Sequence, residues 1–566
     1  MENQEEKLSP LSRLWRLLRP DKKEIKDVYT YAILNGLVAL SLPLGIQAII
    51  NLIQGGQIST SWVVLVSLVT IGVGVSGALQ IYQLRIVENL QQKIFTRAAF
   101  EFAYRIPRIK MEELFKVYAP ELMNRFFDIM NIQKGLSKIL IDFSAASLQI
   151  IFGLGLLSFY HPFFILFSFL LLILLYIIFK LTAKRGLKTS LEESKNKYRT
   201  VHWLEELART NITFKLTGKT DLPLKRTDKD VSAYLEARES HFQILIQQFS
   251  FMVVFKVLMT IGLLALGGIL VMEQLMNIGQ FVAAEIIILL IMNSVEKLIA
   301  SLETIYDVLT GLEKVGEVTD MELEETEGLD VEVECQSSGM QVDLINLSFQ
   351  YPSNNKKTLK NLNLSIERGN LIALVGKNGS GKSTLIRLLS GLYELNDGQI
   401  LYDEINMKSF QSESLRSAIG DCLSQEQLFQ GSVMENLTMG KTMGIEKVKN
   451  TCKAIHLGDF INNLPKGYDT LLDPQGSELA ESTVQKLLVA RAILNAPKLL
   501  LIEDNLDAID GNQKKDIIDF IRKKDNKWTV IAATKNDYLI SKADKIIELN
   551  EGEISFSGTY AEYSKK

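Results

Sequence analysis

Cysteine is scarce in this 566-residue chain: Cys335, Cys422 and Cys452 are the only three, and no two of them form a C-x-x-C pair. That excludes a disulfide framework or a cysteine zinc site and suits a reducing cytosol. Charge imbalance is absent as well. The net charge of −4 offers no basic excess of the kind a nucleic-acid partner would need. No cleavable leader is expected, because the first uncharged run begins only at Val28 and no small-residue cleavage site leads it. What the first half lacks most is charge itself. No Asp, Glu, Lys or Arg occurs from Val28 to Leu84, nor from Phe143 to Phe179.

Those runs are membrane spans. One crossing needs about 20 residues, so Val28–Leu84 holds two, parted by the polar turn Asn51–Ser61. Phe143–Phe179 holds another two, broken at His161 and Pro162. The third pair covers His241–Met272 and Ile278–Val295, joined through Glu273–Asn277. The three short turns carry no Lys or Arg, whereas Arg85–Lys138 and Lys180–Arg238 carry many. Basic residues favour the cytoplasmic side, so both termini and the two long connections are expected there. The connections are rich in helix formers and read as spans continuing into the cytosol. Each reverses at a short crosswise helix, near Glu113–Asn124 and Glu206–Leu216. Ahead of the spans, Pro10–Arg19 alternates leucines and Trp15 with Arg13, Arg16 and Arg19. This is the pattern of a helix lying on a membrane surface, with lipid as its partner.

Two charges interrupt the spans. Lys256 lies 17 residues before Glu273, about 25 Å along a helix, where it can snorkel to the inner interface. Glu285 falls near mid-membrane, where a carboxylate is costly to bury. It either handles substrate or protons or makes a hydrogen bond between spans. The sequence therefore divides into an interfacial segment (1–27), a six-span helical domain (28–318), an acidic linker (319–340) and a nucleotide domain of α/β P-loop type (341–566).

The nucleotide domain is organised by Gly376, Lys377, Asn378, Gly379, Ser380, Gly381, Lys382, Ser383 and Thr384, a full match to G-x-x-x-x-G-K-S/T. The apolar run Leu371–Val375 before it reads as a buried strand, and Leu385–Leu389 continues as a helix. Glycines let backbone N–H groups approach a phosphate at a helix N-terminus. Lys382 can then reach the outer phosphates, and the Ser383 hydroxyl can bind Mg²⁺. ATP and Mg²⁺ are the expected ligands. Further on, Ser348–Pro352 contains Tyr351, Ser424–Glu426 contains Gln425, and Gly476–Thr483 runs into a helix over Val484–Leu494. A strand over Lys498–Ile502 ends at Glu503 and Asp504, and a strand over Thr529–Ala533 ends at Thr534 and Lys535.

In this order the motifs resemble an ATP-binding-cassette (ABC) exporter half-transporter, a six-span domain fused to one nucleotide domain. The resemblance implies a dimer, with each nucleotide held between the phosphate loop of one subunit and the signature segment of the other. It implies that Tyr351 stacks on adenine, that Gln425 senses the metal, and that the crosswise helices couple the two domains. The match then departs from the family. Its Leu-Ser-Gly-Gly-Gln signature is Leu479, Ala480, Glu481, Ser482 and Thr483 here. The metal-binding Asp and catalytic Glu appear reversed, as Glu503 and Asp504, and the switch histidine is Lys535. Loss of a well-positioned base typically costs about 10²–10⁴ in rate, so slow hydrolysis is expected. In a mixed dimer these departures would fall on both composite sites, which favours a homodimer. Ser41–Ile46 and Asn277–Phe281 look similar to type I secretion or toxin exporters. That similarity implies a periplasmic adaptor and an outer-membrane channel as partners. The expected function is ATP-dependent export across the cytoplasmic (inner) membrane, possible substrates being proteins or toxins, lipids or drugs. The alternative is a nucleotide-gated regulator or scaffold that binds ATP with little hydrolysis.

Overall fold

The structure is a computed structural model describing residues 9–54, 60–115, 117–352, 354–424, 426–503, 506, 508–523 and 526–565. It comprises two compact units: residues 9–107 with 117–321, and residues 108–115 with 322–565.

The first unit is entirely helical: α1 Pro10–Leu18, α2 Lys22–Ala39, α3 Ser41–Gln54 and α4 Thr60–Arg105 open it. After the short α5 Met111–Leu114, which belongs to the second unit, come α6 Ala119–Leu122, α7 Phe127–Lys138 and α8 Ser144–Ser158. The unit closes with α9 Pro162–Arg209, α10 Asn211–Thr217, α11 Leu222–Gly262, α12 Gly268–Met272 and α13 Ile278–Thr319. Among the described residues, six helical stretches are long and apolar enough to cross a membrane. The first crossing is broken between α2 and α3. Pro43 has no N–H to give the Ala39 carbonyl, so the ladder stops there. Pro162 instead sits at the first turn of α9, where its missing N–H costs nothing, and His161 caps Phe163 N at 3.3 Å. At the start of α13, Asn277 accepts from Gln280 N at 2.7 Å while the Gln280 side chain accepts from Asn277 N at 2.9 Å. The second reversal forms at α10, inside the expected stretch. The first forms over α5 and α6.

Helix α13 is the axis of this unit. Ala284, Ile287, Ile288, Ile291 and Val295 are buried along it against α8, α9 and α11. Small residues let backbones close in: a Cβ on Gly135 would stand 2.3 Å from Val308, and one on Gly186 would stand 2.4 Å from the Tyr306 ring. Polar ties cross between helices as well, with Gln248 donating to Tyr306 at 2.9 Å and Ser294 to Gln149 at 3.0 Å. Leu34, Val64, Ile71, Leu170 and Ile261 point outward and are exposed, as lipid-facing residues are. The α7–α8 and α11–α12 junctions are π-helical turns, Ile139–Phe143 and Leu263–Gly267. Lys256 meets a partner from another helix, its Nζ donating to Glu296 at 2.6 Å. The carboxylate on α13 is close enough to neutralise it in place.

In the second unit, β1 Val342–Phe349 pairs antiparallel with β2 Leu359–Ile366. Next come β3 Leu371–Val375, β4 Asp397–Tyr402, β5 Ile405–Asn406 and β6 Ile419–Cys422. Two short strands, β7 Gly431–Ser432 and β8 Leu471–Leu472, pair with each other. The last four are β9 Leu499–Glu503, β10 Thr529–Ala533, β11 Lys545–Asn550 and β12 Glu553–Gly558. One sheet has the order β2-β1-β4-β5, and the main sheet the order β12-β11-β3-β10-β9-β6. Strands β11, β3, β10, β9 and β6 are parallel neighbours, and β3, β9 and β10 are buried throughout. Continuous Val/Ile/Leu/Ala runs are what a sheet covered on both faces requires. Gly420 in β6 lies under the Ala492 carbonyl, which a Cβ would approach to 2.3 Å. A backbone atom cannot swing aside, so Gly420→Ala should cost about 1–3 kcal/mol. The expected readout is a lower midpoint for the nucleotide-unit transition in thermal unfolding of the full chain.

Candidate functional site

The phosphate loop joins β3 to the helix Lys382–Leu389, at the carboxyl ends of the parallel strands. Gly376, Gly379 and Gly381 have φ of 144°, 79° and 105°, all in the region glycine tolerates best. Lys377 and Asn378 are exposed at the loop's crown, while Ser380, Lys382 and Thr384 are buried. The Lys382 ammonium is curled into the loop and donates to the Gly376 and Lys377 carbonyls at 2.9 and 3.0 Å. Ser380 Oγ is buried with no hydrogen-bond partner among the described residues. A buried hydroxyl without a partner is costly in a native fold and marks a place where a ligand oxygen fits.

Glu503, the last residue of β9, stands beside this loop. Its carboxylate accepts from Ser424 Oγ at 2.9 Å and from Ser424 N at 3.2 Å, and it is hydrogen-bonded to Ser383. Burial pushes its pKa up. The hydrogen bonds from Ser383 and Ser424 outweigh that and hold it below the ordinary glutamate value. Three chain segments thus converge on one ionised carboxylate. The structure brings Ser383 and Glu503 together as the expected oxygen donors. Gln425 and Asp504, the other two expected members, lie outside the described residues. Lys535 is exposed at the carboxyl end of β10, whose Ala533 is in register with Leu374 of β3.

Tyr351 is placed near the loop by a different route. Its hydroxyl shares a hydrogen bond with Thr384 Oγ1 at 3.1 Å. Its ring meets Phe349 edge-on at 4.9 Å, Tyr393 at 5.6 Å and Phe115 at 5.5 Å. Phe115 follows α5 and also stacks on Tyr393. In the same stretch, Lys110 pairs with Glu394 at 2.8 Å, and Glu112 accepts from Glu394 N at 2.8 Å. The α5 part of the first reversal therefore belongs to the unit that holds the phosphate loop. No local pattern in the sequence announces this, because Phe115 and Tyr351 are far apart along the chain.

The signature segment folds as a turn and a helix start. Helix Glu481–Leu494 begins three residues before the expected Val484, with Ala480 as an N-cap that makes no side-chain cap bond. Glu481 occupies the first helical position and is exposed. A carboxylate there complements the helix's own positive end. Further down this helix, Arg491 donates to the Asn436 carbonyl at 2.8 Å, the Asn436 side chain at 3.1 Å and the Gln427 carbonyl at 3.2 Å. It thereby grips the stretch following Gln425. Sequence reading assigned Arg491 no role, since its partners are distant in the chain. In the membrane-crossing unit, Glu285 is half-buried and makes no hydrogen bond or ion pair among the described residues.

Next to Gln425, Glu426 accepts from Leu423 N at 2.8 Å. Burial, and then the nearby Asp421 carboxylate, push its pKa up to about 8 from 4.5. An acid whose pKa rises on folding loses stability as pH climbs from its unfolded value to its folded one, and none beyond. Glu426→Gln keeps an acceptor for Leu423 N and removes the titration. It should raise the melting temperature at pH 8 and change it little near pH 4, as read by thermal scans across that range.

Comparison with known proteins follows the same division. The family described as ABC transporter transmembrane region matches residues 30–295, and the family described as ABC transporter matches residues 359–506. Proteins of Staphylococcus aureus strains NCTC 8325 and COL, named as multidrug export ATP-binding/permease proteins, are 38% identical over 229 residues. That is 40% of this chain and 39% of each relative, so the chain spans about two-fifths of the length of the curated relatives it matches. A solved bacterial Atm1-family ABC exporter shares the fold, with a TM-score of 0.81 over 96% of both chains at 18% identity. With a matched transmembrane region and a matched cassette that together cover most of its length, the chain belongs to the ABC transporters.

Proposed function

We propose that the chain is one half of an ATP-driven exporter acting as a homodimer in the cytoplasmic membrane, with both termini and the long helical connections in the cytosol. The observation that carries this reading is the convergence of Ser383, Ser424 and Glu503 beside a glycine loop that curls around Lys382. Lys382 exchanges its bonds to two loop carbonyls for the outer phosphates of ATP. Ser380 Oγ and the loop N–H groups supply further donors to the phosphate oxygens. Mg²⁺ fits the site, since Ser383 and Glu503 are the oxygen donors a hard cation prefers, and the family resemblance assigns Gln425 as a third. Bound there, it would offset phosphate charge during transfer. Asp504 takes the proton of the attacking water, and Lys535 supports the γ-phosphate.

The departures of this chain support slow turnover. Ala480 offers no hydroxyl to a nucleotide and Glu481 adds a carboxylate at the helix start. In a homodimer both composite sites carry them. Glu285, half-buried and without a bond among the described residues, is the candidate we take to meet substrate in the membrane. The names of the relatives support a small-molecule cargo over a protein or toxin. A periplasmic adaptor and an outer-membrane channel belong to the protein-export version of this reading.

The test is ATP binding and steady-state hydrolysis by the full chain in lipid nanodiscs, with and without Mg²⁺. Lys382→Ala should weaken ATP binding at least about tenfold and remove turnover, losing a charge-assisted phosphate contact. Glu503→Gln should keep metal-free binding and lose the Mg²⁺-dependent gain. Turnover unchanged in Lys382→Ala would sink the proposal. Tight binding without turnover in the unaltered chain would favour a nucleotide-gated regulator.

A further inference from the structure

Helix α1 is built opposite to a simple amphipathic helix. Leu11 and Trp15 are 58% and 73% exposed, while Arg13 is buried. The Arg13 guanidinium reaches α13 tip-first, where a Cβ at Gly316 would fall 1.1 Å from Nη1. It pairs there with Asp320 at 2.8 Å and with Glu313 at 3.5 Å. The helix is thus pinned to the bundle by its arginine and turns a tryptophan and a leucine outward, as an interfacial helix does toward lipid.

Between α1, α4 and α13 lies a cavity of about 270 Å³. On α4, Ile94, Ala98 and Phe102 recur every fourth residue and form its apolar wall. The adjacent stripe, Arg97, Glu101 and Arg105, recurs at the same spacing and forms a charged rim. Leu312 and Val315 of α13 and Leu17 of α1 complete the apolar lining. The rim carries four arginines, with Arg13 and Arg16 from α1, and three of them are met by the carboxylates of Glu101, Asp320, Asp21 and Glu313. Arg97 is held by Asp21 at 2.8 Å and by the Leu17 carbonyl at 3.3 Å, and Arg105 pairs with Glu101. Arg16 is exposed and makes no hydrogen bond or ion pair among the described residues.

An apolar cavity with Arg16 at its mouth, roofed by a helix whose exposed Leu11 and Trp15 suit a membrane surface, matches one kind of molecule. We infer that this cavity holds an anionic phospholipid of the cytoplasmic leaflet, its phosphate at Arg16 and part of one acyl chain against Ala98 and Phe102. The apolar wall has no use for a hydrated ion, and the one mouth arginine without a carboxylate among the described residues, Arg16, favours a lipid with a net negative charge. The occupant would wedge α1 against α4 and α13 whether or not ATP is turned over, so this site stands apart from the nucleotide chemistry.

Native mass spectrometry of the full chain, extracted in mild detergent from vesicles of equal phosphatidylglycerol and phosphatidylcholine, tests it. The unaltered chain should retain one phosphatidylglycerol per subunit. Ala98→Trp, which fills the cavity, should reduce that retention at least tenfold. Arg16→Glu should abolish the preference for phosphatidylglycerol. Ile71→Trp, on the outward face of α4, should retain lipid as the unaltered chain does, and circular dichroism should show all variants folded. Equal retention in Ala98→Trp would overturn the proposal, as would equal retention of both lipids by the unaltered chain. Displacement of the lipid by millimolar inorganic phosphate alone would also overturn it, by making the site one for a free anion.

Discussion

The Glu503 carboxylate is the constraint on which the nucleotide unit depends. It closes a strand whose other residues are fully apolar, and it is held charged in a buried place by hydroxyl and amide donors from two other segments, with the Arg387 charge adding to them. Without Ser383 the carboxylate would lose its tie to the phosphate loop. Without Ser424 it would lose its tie to the stretch before Gln425. Loop, strand end and connecting segment are therefore fixed by the same charge. The parallel order of β3, β10 and β9 places that charge beside the glycine loop before any ligand arrives. An apolar residue at position 503 would leave the two serines with no acceptor to converge on.

A second electrostatic arrangement lies next to it with the opposite logic. Glu426 and Asp421 share a buried region in which burial opposes ionisation of either. Arg491 is near, but burial lowers its own pKa, and its short bonds go to Asn436 and the Gln427 carbonyl. Its ion pair with Glu426 is long, at 3.8 Å. The arginine thus serves backbone placement more than neutralisation. The segment carrying Gln425 is gripped at Gln427 from the signature helix and at Ser424 from β9.

Much of this was legible in the sequence because the governing patterns are local. A charge-free run of span length, a glycine loop between an apolar strand and a helix, and a proline at a helix start all act within a few residues. The strand Thr529–Ala533 is an instance where composition alone set both ends. What was not legible depends on residues meeting across the chain. Lys256 found Glu296 because α11 and α13 pack together, whereas its sequence position suggested only a reach to the interface. The signature helix begins at Glu481 because Ala480 adopts an extended conformation before it, a backbone choice that no side-chain pattern encodes. The acidic stretch after α13 reads as a solvated connection, yet Glu324 pairs with Arg416 and Leu329 N bonds the Ser409 carbonyl. Tyr351 was recognisable by its place before the loop, while its aromatic neighbours Phe115 and Tyr393 were not.

The π turns at Ile139–Phe143 and Leu263–Gly267 each insert one residue more than the helix around them requires. Each therefore sets the two parts of a crossing out of phase, like a slipped tooth between two gears. Such a defect can move along a helix by exchanging one hydrogen bond for the next, and only the residues it passes turn about the axis. A crossing of this kind can present a new face to its neighbours in one short stretch while both of its ends stay still.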